Sequence, residues 1–187
     1  MKRYFFDTEF LDDAATRTIE LISIAIVCDD GRELYLGNSE FDRSRADDWL
    51  NANVMPQLPP IGALVKFAAG GGPFWRTRDQ IRDAIAAFIV DESTEQEPRA
   101  KPEIWAFYAS YDWVIFCQLF GKMINLPKHF PWLVNDLKTW AAHIGFKGSF
   151  KDLLPTKGHH DALEDARWNR DVYKLVLEHV NTKTLLT

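Results

Sequence analysis

Five side chains stand where an apolar scaffold does not ordinarily put them. Asp7 and Glu9 close a run whose body is Tyr4-Phe5-Phe6. Side chains alternate along a strand, so both carboxylates share a face at the end of a buried element. Two like charges that close raise each other's pKa and are costly unless a cation lies between them. Asp112 follows a second apolar run, Ile104–Phe107, and opens a segment containing Trp113, Val114, Ile115 and Phe116. Asp165 heads a helical stripe of Trp168, Val172 and Leu175, which places it on an inward face. His160 would lie about 140° from Asp165 if both were helical. However, Asp161-Ala162-Leu163-Glu164 reads as a capping box with Asp in the Ser/Thr position, so the helix starts at Ala162. His160 then stays in the loop, where Gly158 lets it swing beside Asp165. The chemistry within reach of this set is cation binding by carboxylates, with a titratable imidazole alongside.

Each residue alone has an ordinary alternative. Asp7 or Glu9 can be a turn former. Asp112 can be a helix N-terminal acid favoured by the dipole. Asp165 can be a buried ion pair with Arg167 or Arg82, and His160 a surface histidine. Together they recur at element ends, in the order D-x-E, Asp, H-x-x-x-x-D, and that order is far more specific than D-x-E.

The elements that must position these residues follow from patterning. The sequence predicts a first strand over Arg3–Phe10 and a β-branched one over Leu21–Val27. A turn at Asp29-Asp30-Gly31 leads to a third, Glu33–Leu36, giving an antiparallel meander. Residues 44–53 read as helical. Residues 56–76, with four prolines and the triplet Gly70-Gly71-Gly72, read as a long surface loop. Helical spacing resumes at Ile81, Ile85, Phe88 and Ile89. A polar loop over 91–103 precedes a short strand, Ile104–Phe107. Helices are expected over Tyr111–Phe120, Leu137–Ile144 and Ala162–His179. Strands first, then strands alternating with helices, imply an α/β fold with a mixed sheet covered by helices. No repeat or second domain is visible, so residues 1–187 read as one domain.

The chain has 187 residues, 22 Lys+Arg against 27 Asp+Glu, and a formal net charge of -5. At 47% hydrophobic residues, disorder is excluded. No apolar run reaches the roughly 18–20 residues of a membrane span. The start shows no signal-peptide pattern, and Cys28 and Cys117 have no metal or disulfide spacing, so a cytoplasmic protein is expected. Net acidity argues on its face against a polyanionic partner. The charge is uneven, however: residues 1–121 carry a balance of -8 and residues 122–187 one of +3. A cation lying between the crowded carboxylates would also offset part of the negative charge.

Asp7-Thr8-Glu9, Asp112 and His160…Asp165 resemble the three motifs of DEDD-type 3′→5′ exonucleases. The histidine subclass (DEDDh) fits, because the tyrosine subclass has Tyr where Asp161 stands. The stretches YFFDTEF, TIELISIAIV, YASYDW and HHDALEDA are similar to the small bacterial RNase AS group, polyadenylate-preferring 3′-exoribonucleases that form homodimers. The resemblance implies an RNase H-like fold with a five-stranded sheet, whose fifth strand falls near Trp132–Asn135. Tyr108 departs from the Asn that most members of the superfamily carry there, and the 56–76 loop is longer than such enzymes need.

Oxygen ligands without a Cys or His cluster suit Mg²⁺ or Mn²⁺, and four carboxylates suffice for two ions roughly 3.5–4 Å apart. On the family pattern, Asp7 bridges both ions, Glu9 and Asp165 complete the site of the ion carrying the attacking water, and Asp112 acts through outer waters beside the leaving oxygen. His160 is the expected general base. The resemblance places Thr8, Phe10 and Leu11 at the terminal sugar and base; Phe10 and Leu11 can equally be core. Trp113 can stack or pack inside. Lys147, Lys151 and Lys157 are candidates to track phosphates, or belong to a solvated loop. The expected activity is release of nucleoside 5′-monophosphates from single-stranded RNA 3′ ends, with adenylate tails preferred. A DNA 3′-exonuclease, a non-catalytic nucleic-acid-binding module and a small-molecule metallohydrolase are the alternatives.

Overall fold

The computed structural model describes residues 2–65, 71–89, 101–155 and 160–184. Strands β1 (Arg3–Asp13), β2 (Thr18–Cys28) and β3 (Glu33–Asn38) form the expected antiparallel meander. Its first turn is tied by the Asp13 carboxylate, which accepts from the Ala15 and Thr16 N–H groups. The second uses Gly31 at φ 90°, a conformation that needs glycine. β7 (Glu103–Ala106) joins β1 in parallel, and β8 (Asn135–Asp136) joins β7 in parallel.

The sheet is mixed, as expected, but has six strands in the order β6 (Trp75–Arg76), β3, β2, β1, β7, β8, which corrects the expectation of five. The extra strand, β6 (Trp75–Arg76), pairs in parallel with Gly37 and Asn38 of β3. It lies inside the segment expected to be a surface loop, and that expectation is also corrected. The segment contains a 3₁₀ turn (Met55–Gln57) and a two-stranded antiparallel pair, β4 (Leu64–Val65) with β5 (Gly72–Pro73). Phe74 is fully buried and meets Tyr35 edge-on at 4.8 Å. Gly37 permits this approach, because a Cβ there would collide with the Phe74 and Trp75 rings. Residues 66–70 of this segment, residues 91–100 of the polar loop, Lys157 and Gly158 lie outside the described residues.

Helices cover both faces. α2 (Arg78–Phe88) and α3 (Ser110–Leu119) pack Ile81, Ile85 and Phe116 against Tyr4, Phe6, Ile24, Ile26 and Leu36. α6 (Ala162–Thr184) lies on the opposite face, with Ala162 and Ala166 near Leu11 and Val172, Tyr173 and Val176 near Phe5. Burial of such side chains is worth roughly 1.5–3 kcal/mol each, so both layers are firmly held. The expected helix over 44–53 is divided by two capping aspartates. Asp42 caps a 3₁₀ turn (Arg43–Arg45), and Asp47 caps α1 (Asp48–Asn53). α4 (Leu137–His143) matches its expectation, and α5 (Phe150–Leu153) is additional.

Candidate active site

β1 sits between β2 and β7, and its alternation decides the site. Phe5 and Leu11 face α6, so Asp7 and Glu9 face it too, whereas Tyr4, Phe6 and Phe10 belong to the α3 side, as does Thr8. Asp165, in the first turn of α6, completes the first group. Ligand oxygens of Asp7, Glu9 and Asp165 all lie within 4.8 Å of one another. α6 is held there by Asn169, one turn on, whose buried side-chain amide donates to the Phe6 carbonyl at 2.9 Å. The helix start is fixed by the Asp161 carboxylate, which accepts from the Leu163 and Glu164 N–H groups. Arg167 is engaged with Glu33 and Glu164, and Arg82 with Asp79 and Asp83.

Asp112 approaches from the other layer. It is 6% exposed, in the first turn of α3. Thr8 donates to its Oδ1 twice, from the backbone N–H at 3.0 Å and from the hydroxyl at 2.6 Å. Thr8 therefore joins the two halves of the carboxylate set, a role that period-two alternation could have suggested. α3 has no side-chain cap of its own. Its leading N–H, from Ala109, donates instead to Asp136 Oδ2 at 2.8 Å. The other oxygen of Asp136 caps α4 through the Thr139 N–H.

The sheet is irregular beside Glu9. Glu9 pairs with Ser23 and Phe10 with Leu21, leaving Ile22 as the extra residue of a β-bulge. Ser23 and Tyr35 are both buried on the face carrying Asp7 and Glu9. Burial, with the charges of Asp161, Glu9 and Asp7, pushes that phenol well above its usual range, so it stays neutral.

The electrostatics are those of crowded acids. Burial first, then Asp112, Glu9, Asp165 and Asp161, hold Asp7 well above the usual carboxylate range. Burial, then Asp165, Asp161 and Asp112, push Glu9 from its ordinary 4.5 up to about 8. Asp112 is raised by burial, and the two Thr8 hydrogen bonds oppose that rise. Such a set favours the binding of a positive charge, and its oxygen-only donors suit a hard divalent cation.

The carboxylates open onto a cleft of about 450 Å³. His160 lines it, as the sequence implies, at φ 65° and with its ring edge-on to Trp49 at 4.7 Å. Phe10 and Thr8 line it as well. Leu11 is 4% exposed and packs in the core beside Ala162 and Ala166. Trp113 stacks on Phe116 at 5.1 Å and is structural. Lys147 is exposed and is not among the residues lining the cleft; the Lys151 side chain lies outside the described residues, as Lys157 does. Cys28 and Cys117 are buried thiols, pushed by burial up to about 11. No helix among the described residues is long and apolar enough to cross a membrane.

Comparison with known proteins gives consistent matches. A family model described as the 3′-5′ exoribonuclease Rv2179c-like domain matches residues 2–177. Two curated relatives are 37% identical over 175 residues, covering 93% of this chain and 92% of their own length. They are the 3′-5′ exoribonuclease Rv2179c of Mycobacterium tuberculosis strain H37Rv and the 3′-5′ exoribonuclease MT2234.1 of strain CDC 1551.

Proposed function

The chain belongs to the family of Rv2179c-like 3′-5′ exoribonuclease domains, and from that membership we propose that it hydrolyses single-stranded RNA from the 3′ end, releasing nucleoside 5′-monophosphates. One observation carries the reading: the oxygens of Asp7, Glu9 and Asp165 converge within 4.8 Å in a cleft that His160 also lines. Asp7, Glu9 and Asp165 would hold divalent cations, Mg²⁺ or Mn²⁺, with Asp112 beside them. When bound, two such ions would acidify a water and neutralise charge on the leaving oxygen.

The chain's own residues supply the rest. His160 takes the proton of the attacking water as general base. The water oxygen bonds to the terminal phosphorus as the bond to the upstream 3′-oxygen breaks, and that oxygen takes a proton from solvent water to become the new 3′-hydroxyl, while His160 returns its proton to solvent. Thr8 holds Asp112 in line through its two hydrogen bonds. The Asp161 cap and the Asn169 amide hold α6, and with it Asp165, against β1.

The motif resemblance extends the proposal to a DEDDh enzyme of RNase H-like fold, acting on adenylate-rich 3′ ends as a homodimer. Digestion of 5′-labelled poly(A), poly(U) and single-stranded DNA with Mg²⁺ or Mn²⁺ tests the activity. A ladder shortening from the 3′ end, strongest on poly(A), is the expected result. Equal rates on the two RNAs remove adenylate preference, and preference for DNA removes the ribonuclease reading. RNA binding without mononucleotide release returns the protein to a non-catalytic module. Sedimentation at micromolar concentration checks the dimer.

A further inference from the structure

The start of α3 is held from outside the helix. Ala109, at its capping position, has no side chain that could accept a hydrogen bond. The residue is buried, at 1% exposed, so its N–H needs a protein partner. The chain enters the helix through Tyr108 at φ 56°, a left-handed conformation that is costly for a bulky residue. A 2.8 Å bond from the Ser110 N–H to the Tyr108 carbonyl closes the turn. An entry of this kind keeps its shape only where its surroundings over-determine it.

Asp136 supplies that constraint from the edge of the sheet. Its backbone is in register with Ala106, the last residue of β7, and β7 is paired in turn with β1. Asn135 beside it donates to the Ile104 carbonyl at 3.2 Å. The Asp136 carboxylate is therefore fixed to the same sheet that carries Asp7 and Glu9. Its two oxygens are each engaged by an N–H group, Oδ2 by Ala109 at 2.8 Å and Oδ1 by Thr139 at 2.6 Å. Asp136 itself is not among the described residues that line the cleft. Ala109 precedes Asp112 by three positions, less than one helical turn, so a shift of the entry is passed on to Asp112 undiminished. Thr8 grips only Oδ1 of Asp112, the outer end of the side chain. Asp136 holds the backbone from which that side chain springs.

We propose that Asp136 is a positioning residue for the reaction in the cleft: by tying the start of α3 to the sheet, it sets where Asp112 stands opposite Asp7, Glu9 and Asp165. The proposal rests on the exoribonuclease reading of that site.

The test compares two variants. Asp136→Ser keeps a hydroxyl that can cap α4 at Thr139 but is too short to reach Ala109 as well. Asp136→Ala loses both bonds. Wild-type protein is first assayed on single-stranded RNA. Absence of 3′ shortening would remove the exoribonuclease reading and leave the Mn²⁺ measurement, which needs no RNA, to decide the position of Asp112. Asp136→Ser should regain thermal stability that Asp136→Ala loses. Both should nevertheless lower kcat, and weaken Mn²⁺ binding read by calorimetry, by about 10-fold, the lower end for outer partners of metal ligands. In an Asp112→Asn background, adding Asp136→Ser should leave Mn²⁺ affinity within twofold of the parent, because the residue it acts through is already altered. Wild-type kcat and Mn²⁺ affinity in Asp136→Ser would reduce Asp136 to the cap of α4 and overturn the proposal. A loss of affinity of equal size in the Asp112→Asn background, the result that general damage to the fold would give, would overturn it too.

Discussion

The crowded carboxylates make the metal-free protein sensitive to alkaline pH, and Glu9 gives the cleanest test. Its carboxyl is raised by burial and by Asp165, Asp161 and Asp112 from an ordinary 4.5 to about 8. Between those values the folded protein holds a proton that the unfolded chain has released. Stability therefore falls as pH rises from about 4.5 to about 8, and the loss is complete above the folded pKa. At about 1.36 kcal/mol per unit, the shift sets a ceiling of roughly 5 kcal/mol. Water entry and side-chain relaxation lower this to about 2–4 kcal/mol. Glu9→Gln keeps the shape and removes the titration. In EDTA the variant should match wild type near pH 5 and exceed it near pH 8. For a chain of 187 residues the difference corresponds to a rise of roughly 4–16 °C in melting temperature. Added Mg²⁺ should stabilise wild type at pH 8 and the variant much less. Parallel melting curves across this pH range, or a wild type more stable than Glu9→Gln at pH 8 in EDTA, would refute the reasoning.

Three further outcomes are expected. Thr8→Val removes the 2.6 Å hydroxyl donor to Asp112 but keeps the backbone donor; the acid limb of the rate profile should move up by about one to two pH units. An acid limb left at the wild-type position counts against Thr8 as the support of that carboxylate. His160→Ala should lower kcat by about 10²–10⁴-fold while keeping Mg²⁺-dependent thermal stabilisation; loss of both would make His160 a structural residue. Asn169→Leu strips the Phe6 carbonyl of its 2.9 Å donor and should cost about 1–3 kcal/mol, read from the denaturant midpoint. An unchanged midpoint would mean that this bond does not hold α6 to β1.

The chemistry was more legible in the sequence than the edges of the fold. Carboxylates on apolar elements are conspicuous because burial makes them costly, so Asp7, Glu9, Asp112 and Asp165 stand out by patterning alone. The meander was readable because its strands are long enough to show a period and end in turn residues. β6 and β8 are two residues each and show no period. β6 also hides in a Pro/Gly-rich stretch whose Phe74 gives no local sign of being core. The box Thr77…Gln80 that starts α2 was present but masked by the charged residues around it. The bulge at Ile22 is silent because Leu21–Val27 is apolar on both faces. The supports of the site, Asn169 and Asp136, bond to backbone atoms distant in sequence, which only the tertiary fold reveals.

β1 serves two helical layers with consecutive residues: Asp7 and Glu9 look toward α6, and Thr8 between them reaches Asp112 on α3. A one-residue slip of this strand would exchange every side chain between layers. It would carry Asp7 and Glu9 away from Asp165 and break the link between Thr8 and Asp112 in the same step. Without metal, the native pairing carries the repulsion among Asp7, Glu9 and Asp165. A cation held by Asp7, Glu9 and Asp165 would relieve that repulsion only in the native alignment, so the ion would also favour the correct register of the strand. In this protein, affinity for metal and fidelity of folding would be selected together.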